Sequence, residues 1–175
     1  VSVQSHRYSK ANNPLCEDHD KNKPNKWIMY IDANNLYGWS MIQNLPTGGF
    51  EWVDTKQFNK VYNSETPCFY EVDLDYPANL HDLHNDYPLC PEKRSVKLNE
   101  LSPFQTELLG EKKLGNDTKL MGTLDNKKNY VIHHRNLKFA IESGMILTKV
   151  HKIMKFNESN WLAKYINFNS SKRAK

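Results

Sequence analysis

The sequence predicts an α+β fold built on a mainly antiparallel sheet, and three observations carry that prediction. Cys68 to Leu74 alternates, with Phe69, Glu71 and Asp73 on one side and Tyr70, Val72 and Leu74 on the other. That is the period-2 pattern of a strand with one buried face. Asn136 to Ser143 has helical period, with Leu137, Ala140 and Ile141 on one face and Gly144 to end it, and it runs into a long strand from Met145 to Phe156. Lys119 to Leu124 and Asn129 to His133 flank "DNKK", which reads as a β-hairpin. Strands and helices mixed in this way make the α+β class.

The remaining elements follow in chain order. Residues 1–25 are polar, broken by "KANNP" and "DHDKNKPNK", and read as an extended N-terminal segment. Lys26 to Ile31 is short, apolar and partly β-branched or aromatic, the pattern of a buried strand. Leu36 to Gln43 predicts a short helix stopped before Pro46, "PTGG" a turn, and Gly49 to Val53 a short strand. Thr55 to Tyr62 is weakly amphipathic, with Phe58 and Val61 on one face. Tyr76 to Glu92 is a connection rich in Pro, His and Asp. Ser102 and Pro103 fit the N-cap and first position of a helix through Leu109. Ser159 to about Asn167 predicts a helix with Trp161, Leu162, Tyr165 and Ile166 inward.

The 175 residues suffice for one domain with a core, or for one piece of a larger one. The chain begins at Val1 without an initiator methionine and ends on "SSKRAK", which reads as a fragment. No apolar run reaches the roughly 18 residues that span a bilayer, and no signal-peptide pattern opens the chain, so no membrane partner is expected. Cys16, Cys68 and Cys90 are odd in number and widely spaced, which argues against a disulfide framework and suits a reducing compartment. The net charge of +4 hides an asymmetry: residues 126–175 carry 11 Lys/Arg against 2 Asp/Glu, leaving the first 125 residues at −5. A basic end on a mildly acidic body points to a polyanion, or to nothing more than a solvated surface.

The chemistry concentrates in "WIMYIDANNLYGWSM", where an apolar run delivers one carboxylate, Asp32, to a turn. A strand end fixes a carboxylate and the turn leaves a backbone carbonyl free beside it. Asp32 and the carbonyl of Ala33 are thus two hard oxygens of the kind Mg²⁺ takes. The alternative use for such an aspartate is to cap the following helix. Zinc sites built from Cys16 and His19, or from His81, His84 and Cys90, lack a second clean ligand pair. "PTGGF" lacks the Lys-Ser/Thr of a phosphate loop, and no Gly-x-Ser-x-Gly elbow occurs.

"DANNLYG" resembles motif A of the family B DNA polymerases, Asp-x-x-Ser-Leu-Tyr-Pro, with Asp32, Leu36 and Tyr37 on the pattern, Asn35 in place of Ser and Gly38 in place of Pro. Together with "SHRYSKANN", "LPTGGFEWV", "HNDYPLCPEK" and "YVIHHRNLKFAIESGMIL", the chain resembles the protein-primed branch found in viruses, linear plasmids and large self-synthesising transposons of the Polinton type. The resemblance implies a partial palm domain of a larger, DNA-directed DNA polymerase. Residues 26–61 would be a palm segment with motif A, residues 62–124 an insertion resembling the terminal-protein region, and residues 125–175 the return toward the fingers. Asp32 would be one of two carboxylates holding a Mg²⁺ pair, Ala33 to Tyr37 (Ala33, Asn34, Asn35, Leu36, Tyr37) would line the nucleotide site, and Tyr37 would exclude a ribose 2′-hydroxyl. Plain core packing is the other use for Tyr37. The implied partners are a DNA template and primer, deoxynucleoside triphosphates and a priming terminal protein. A transposon polymerase would act where the host DNA is, in the nucleus of a eukaryote.

Two features qualify this resemblance. The Lys-x-x-x-Asn-Ser-x-Tyr-Gly segment of the fingers is absent from these residues. Asp73 and Asp75 in "YEVDLDYP" imitate the second acidic motif, but no fingers segment separates them from Asp32, and a solvated strand face is the expected reading. They are also the only acidic cluster available to a metal nuclease. A lone Asp32 leaves open a second expectation, an inactive transposon-derived remnant that at most binds DNA or protein. The basic end supplies candidate DNA contacts in Lys149, Lys152, Lys155, Lys164, Lys172 and Arg173. The aromatics interleaved with them, Tyr130, Phe139, Phe156, Trp161 and Tyr165, have the spacing of core residues.

Overall fold

The computed structural model describes residues 10–112 and 114–173. The chain is α+β, in the order α1 (Leu36–Met41), β1 (Leu45–Val53), α2 (Phe58–Asn63), β2 (Cys68–Asp75), α3 (His81–His84), β3 (Glu92–Ser95), α4 (Pro103–Leu109), β4 (Thr118–Met121), β5 (Lys127–His133), α5 (His134–Glu142), β6 (Ile146–Ser159) and α6 (Ala163–Arg173). A four-stranded sheet has the order β1-β6-β2-β5, and β3 and β4 form a separate antiparallel pair. β2 is antiparallel to both of its neighbours, with Tyr70 opposite Ile132 on one side and Ile153 on the other.

Two compact units divide the chain, one of Phe50–Phe156 and one made of the chain up to Gly49 with the chain from Asn157 on. The Phe50–Phe156 unit holds the hydrophobic core. Strict alternation in β2 buries Cys68, Tyr70, Val72 and Leu74 and leaves Phe69, Glu71, Asp73 and Asp75 on the other face. The buried side meets Ile132, Ile153, Val61 of α2, and Leu137 and Ala140 of α5. A 3₁₀ turn at Thr55–Gln57, capped by Asp54, leads into α2, where Phe58 stacks on Tyr62 at 5.3 Å and meets Tyr70 edge-on. α4 begins as its residues demand: Ser102 accepts from the Gln105 N–H, the Gln105 side chain accepts in return, and Pro103 sits at the first helical position.

The second unit is built differently. Among its described residues only Asn13 and Gly38 are buried. Residues 10–26 form a closed loop, not the expected extended segment; residues 1–9, with most of "SHRYSKANN", lie outside the described residues. Asn12 and Lys26 make an isolated antiparallel bridge, and the Asn12 side chain donates to the Asp20 and Pro24 carbonyls while accepting from the Asp20 N–H. An asparagine can close a loop in this way because it both donates and accepts.

Four further expectations need correction. Trp27 to Ile31 is not a buried strand: it is irregular, 61 to 94% exposed, and makes no ladder hydrogen bonds among the described residues. A central strand requires neighbours on both edges, and the described chain supplies none. "PTGG" is no turn, because β1 runs through it from Leu45. Pro46 is tolerated there since β1 is an edge strand, and Gly48 and Gly49 take the positive φ values of 143° and 66°. The "DNKK" hairpin does not form, because β4 pairs with β3 and β5 with β2. Lys127 explains the change of course. Its side chain is fully buried, donating to Glu92, the Thr123 carbonyl and the Thr123 hydroxyl, so the chain is pinned where a turn was expected. Finally, the last helix starts at Ala163 and leaves Trp161 and Tyr165 exposed instead of inward.

Candidate nucleotide and metal site

Asp32 and Ala33 lie at the end of the irregular segment, Asn34 and Asn35 form a turn, and Leu36 and Tyr37 are the first residues of α1. The helix is capped by Asn35, not Asp32, and the Asn35 carbonyl accepts the first helical bond from the Trp39 N–H at 2.9 Å. The capping use of Asp32 is therefore excluded. Among the described residues none donates a hydrogen bond to its carboxylate or pairs with it, and it is exposed. Tyr37 is 83% exposed, which excludes core packing for it as well.

The two departures from the polymerase pattern meet each other. Asn35 adopts the left-handed conformation, φ 53° and ψ 41°, which asparagine tolerates better than most residues. Its side chain folds back over Gly38, where an added Cβ would come within 2.3 Å of Nδ2. Gly38 thus makes room for Asn35. The amide reaches to 3.5 Å from the Ser170 hydroxyl, in the same unit, where α1 lies beside α6.

Asp32 supplies one carboxylate and Ala33 one carbonyl. Both are hard oxygens of the right kind for Mg²⁺, but two ions need more ligands than this. Among the described residues no cluster of three ligand groups includes Asp32, nor Cys16 with His19, nor His81, His84 and Cys90. The histidines of the last set are otherwise engaged, His84 Nδ1 with the Tyr76 hydroxyl at 2.8 Å and His81 with the Tyr76 carbonyl at 3.2 Å. Cys90 is buried, which pushes its thiol up to about 11.

Asp73 and Asp75 lie in the other unit, and the Oδ1 oxygen of Asp73 is engaged in the fold. It accepts from the Asn129 N–H and from His151 Nε2, each at 2.8 Å, with Lys128 at 3.8 Å. The Asn129 N–H, then His151, hold its carboxyl below the usual range. Asn129 has φ 50° at the register shift between Val72 and Leu74, so Asp73 fastens a β-bulge.

The lysines of β6 do not form one surface. Lys152 lies opposite Glu71 and bonds it at 2.8 Å, while Lys155 lies opposite buried Cys68 and pairs with Glu51 at 2.8 Å. The two lysines therefore point to opposite faces of β6, each next to a carboxylate, and Lys149 lies opposite Asp73. Lys164, Lys172 and Arg173 belong to α6 in the other unit, with no carboxylate in that helix. Of the aromatics expected in the core, Phe156 is buried and Tyr130 partly covered, but Phe139, Trp161 and Tyr165 are exposed, as is Phe168, which sequence spacing did not single out. No protein-family model, no curated protein and no solved structure matches the chain.

Proposed function

We propose that this chain carries the first metal-binding carboxylate and the sugar-selecting aromatic of a template-directed DNA polymerase. The observation that supports the reading most is the turn into α1. It leaves the Asp32 carboxylate exposed without a hydrogen-bond partner and places Tyr37, 83% exposed, at the start of the helix that follows. A carboxylate with no structural work, next to an exposed tyrosine, is what the motif resemblance requires of these two positions.

In this reading Asp32 and the Ala33 carbonyl hold Mg²⁺, and Tyr37 stands against the sugar of the incoming nucleotide, leaving no room for a 2′-hydroxyl. Bound Mg²⁺ supplies activation of a primer 3′-hydroxyl and charge stabilisation on the departing pyrophosphate. The left-handed Asn35 and the space at Gly38 set the angle at which α1 leaves Asp32. The 175 residues alone are expected not to extend a primer, because no group of three ligand side chains among the described residues includes Asp32 and the fingers segment is absent from the sequence.

The test uses the longest open frame containing this chain, expressed as one protein. Template-directed incorporation of deoxynucleotides is expected, abolished by Asp32→Asn, with ribonucleotides admitted by Tyr37→Ala. Incorporation that survives Asp32→Asn would sink the proposal. The second reading, a non-catalytic protein that binds nucleic acid, is favoured by the carboxylate-free α6 with its three cations. No incorporation by the whole frame, with DNA binding retained, would select it.

A further inference from the structure

α6 and the turn before it carry their aromatic side chains on the exposed side. Leu162, Ala163, Ile166 and Ser170 form the partly covered face. Trp161, Tyr165 and Phe168, followed by Lys172, recur at intervals of four, three and four residues on the opposite face. At 3.6 residues per turn Tyr165, Phe168 and Lys172 lie within about 60° of arc and extend over roughly 10 Å, with Trp161 in the turn just before the helix. Their exposure is 61% for Trp161, 66% for Tyr165 and 62% for Phe168. The Lys172 ammonium lies 5.5 Å from the centre of the Phe168 ring, so a positive charge is seated against the stripe itself.

Charge decides what such a stripe fits. Ala163–Arg173 holds Lys164, Lys172 and Arg173 and no carboxylate. Lys172 and Arg173 are in the last turn, where any helix favours cations, but helix stability gives no reason for three aromatic rings in water. A second copy of this chain offers the same cations, which would repel. An aromatic row edged by cations matches the two parts of a single strand of nucleic acid: flat bases that stack and phosphates that need counter-charge. Duplex offers the phosphates but withholds the base faces.

We infer that the Trp161–Tyr165–Phe168–Lys172 face of α6 binds single-stranded nucleic acid, by stacking of bases on the rings and pairing of phosphates with Lys164, Lys172 and Arg173. The stripe recognises no base sequence, since every base has a stacking face. Binding at this face requires no metal.

The test is fluorescence anisotropy of labelled dT12 with the full chain in EDTA, against a 12-base-pair duplex. Single strand is expected to bind more tightly than duplex with the metal removed, so that failure here and failure of the metal-dependent polymerase reading are distinguishable. With three cations engaged, affinity is expected to fall about 20-fold between about 50 and about 200 mM salt. The triple variant Trp161→Ala/Tyr165→Ala/Phe168→Ala weakens binding at least about 10-fold, given the usual worth of one stacked base. Trp161→Phe, which keeps a ring, retains most of it. The double variant Lys164→Gln/Lys172→Gln flattens the salt dependence. Far-UV circular dichroism checks that the variants keep their helix content. Binding unchanged in the triple variant, or duplex bound as tightly as dT12, overturns the inference. So does self-association of the chain, by light scattering, that the triple variant abolishes and dT12 does not compete.

Discussion

Lys127 is the residue whose role is least visible in the sequence and most consequential for packing. A lysine with no exposed side-chain surface is stable only if its ammonium is paired, and here Glu92 at 2.9 Å and both oxygens of Thr123 do so. Lys127→Met keeps the volume and removes the charge, stranding the partly exposed Glu92 carboxylate. It is expected to cost about 3 kcal/mol in a denaturant titration. Lys127→Met with Glu92→Gln is expected to regain part of that loss. An additive double variant would show that the pair is not coupled. Asn35 and Gly38 make the same point on a smaller scale. Each departs from the polymerase pattern, and each departure is intelligible only beside the other.

Among elements, the turn after β3 is the best electrostatically fastened. Arg94 donates to both oxygens of Glu100, at 2.9 and 2.5 Å, and the Lys97 N–H donates to it at 2.8 Å. Those bonds, Arg94 first, pull the Glu100 carboxyl down to about 2. A carboxyl held below its ordinary value of about 4.3 contributes stability that is fully present above that value and is lost as pH falls through the folded value. Stability is therefore expected to decline between about pH 4.5 and about pH 2, with Asp73 adding to the same acid limb. In Glu100→Gln this decline is shallower, and the destabilisation caused by the substitution shrinks toward pH 2. A constant difference across that range would count against the assignment.

At the scale of the whole molecule, the core and the candidate site belong to different units. Every member of the main hydrophobic cluster falls within Phe50–Phe156, while Asp32, Tyr37 and α6 belong to the unit that buries almost nothing. Local stability follows buried contacts, so the Phe50–Phe156 unit should be the last to open. Cys68 and Cys90 lie in the core, where burial raises both thiols, and Cys16 lies in the other unit, partly exposed. Alkylation of the native chain near pH 8 is expected to label Cys16 first, with Cys68 and Cys90 protected until Phe50–Phe156 unfolds. Chymotrypsin is expected to cut at Trp27 or Tyr30 well before Tyr70. Equal labelling of all three thiols would mean that the core is no more stable than the loops.

Local signals sufficed where an element's own residues settle its fate. Alternation in β2, the Ser102–Pro103 start of α4 and the Gly144 stop after α5 could each be read directly, because period, capping and φ are properties of a few adjacent residues. So could the placing of Asp32 before a turn. What failed depended on distant partners. "WIMYI" has the composition of a buried strand, yet burial and pairing are supplied by other strands, and the described chain provides none. The "DNKK" turn lost to the burial of Lys127 against Glu92, and Trp161 and Tyr165 have core spacing on a helix whose other face was covered. The sequence by itself determined the α+β class, the β2 faces and the position of the candidate carboxylate. Only the tertiary structure decided which apolar faces found cover, because burial depends on what the rest of the chain brings against each face.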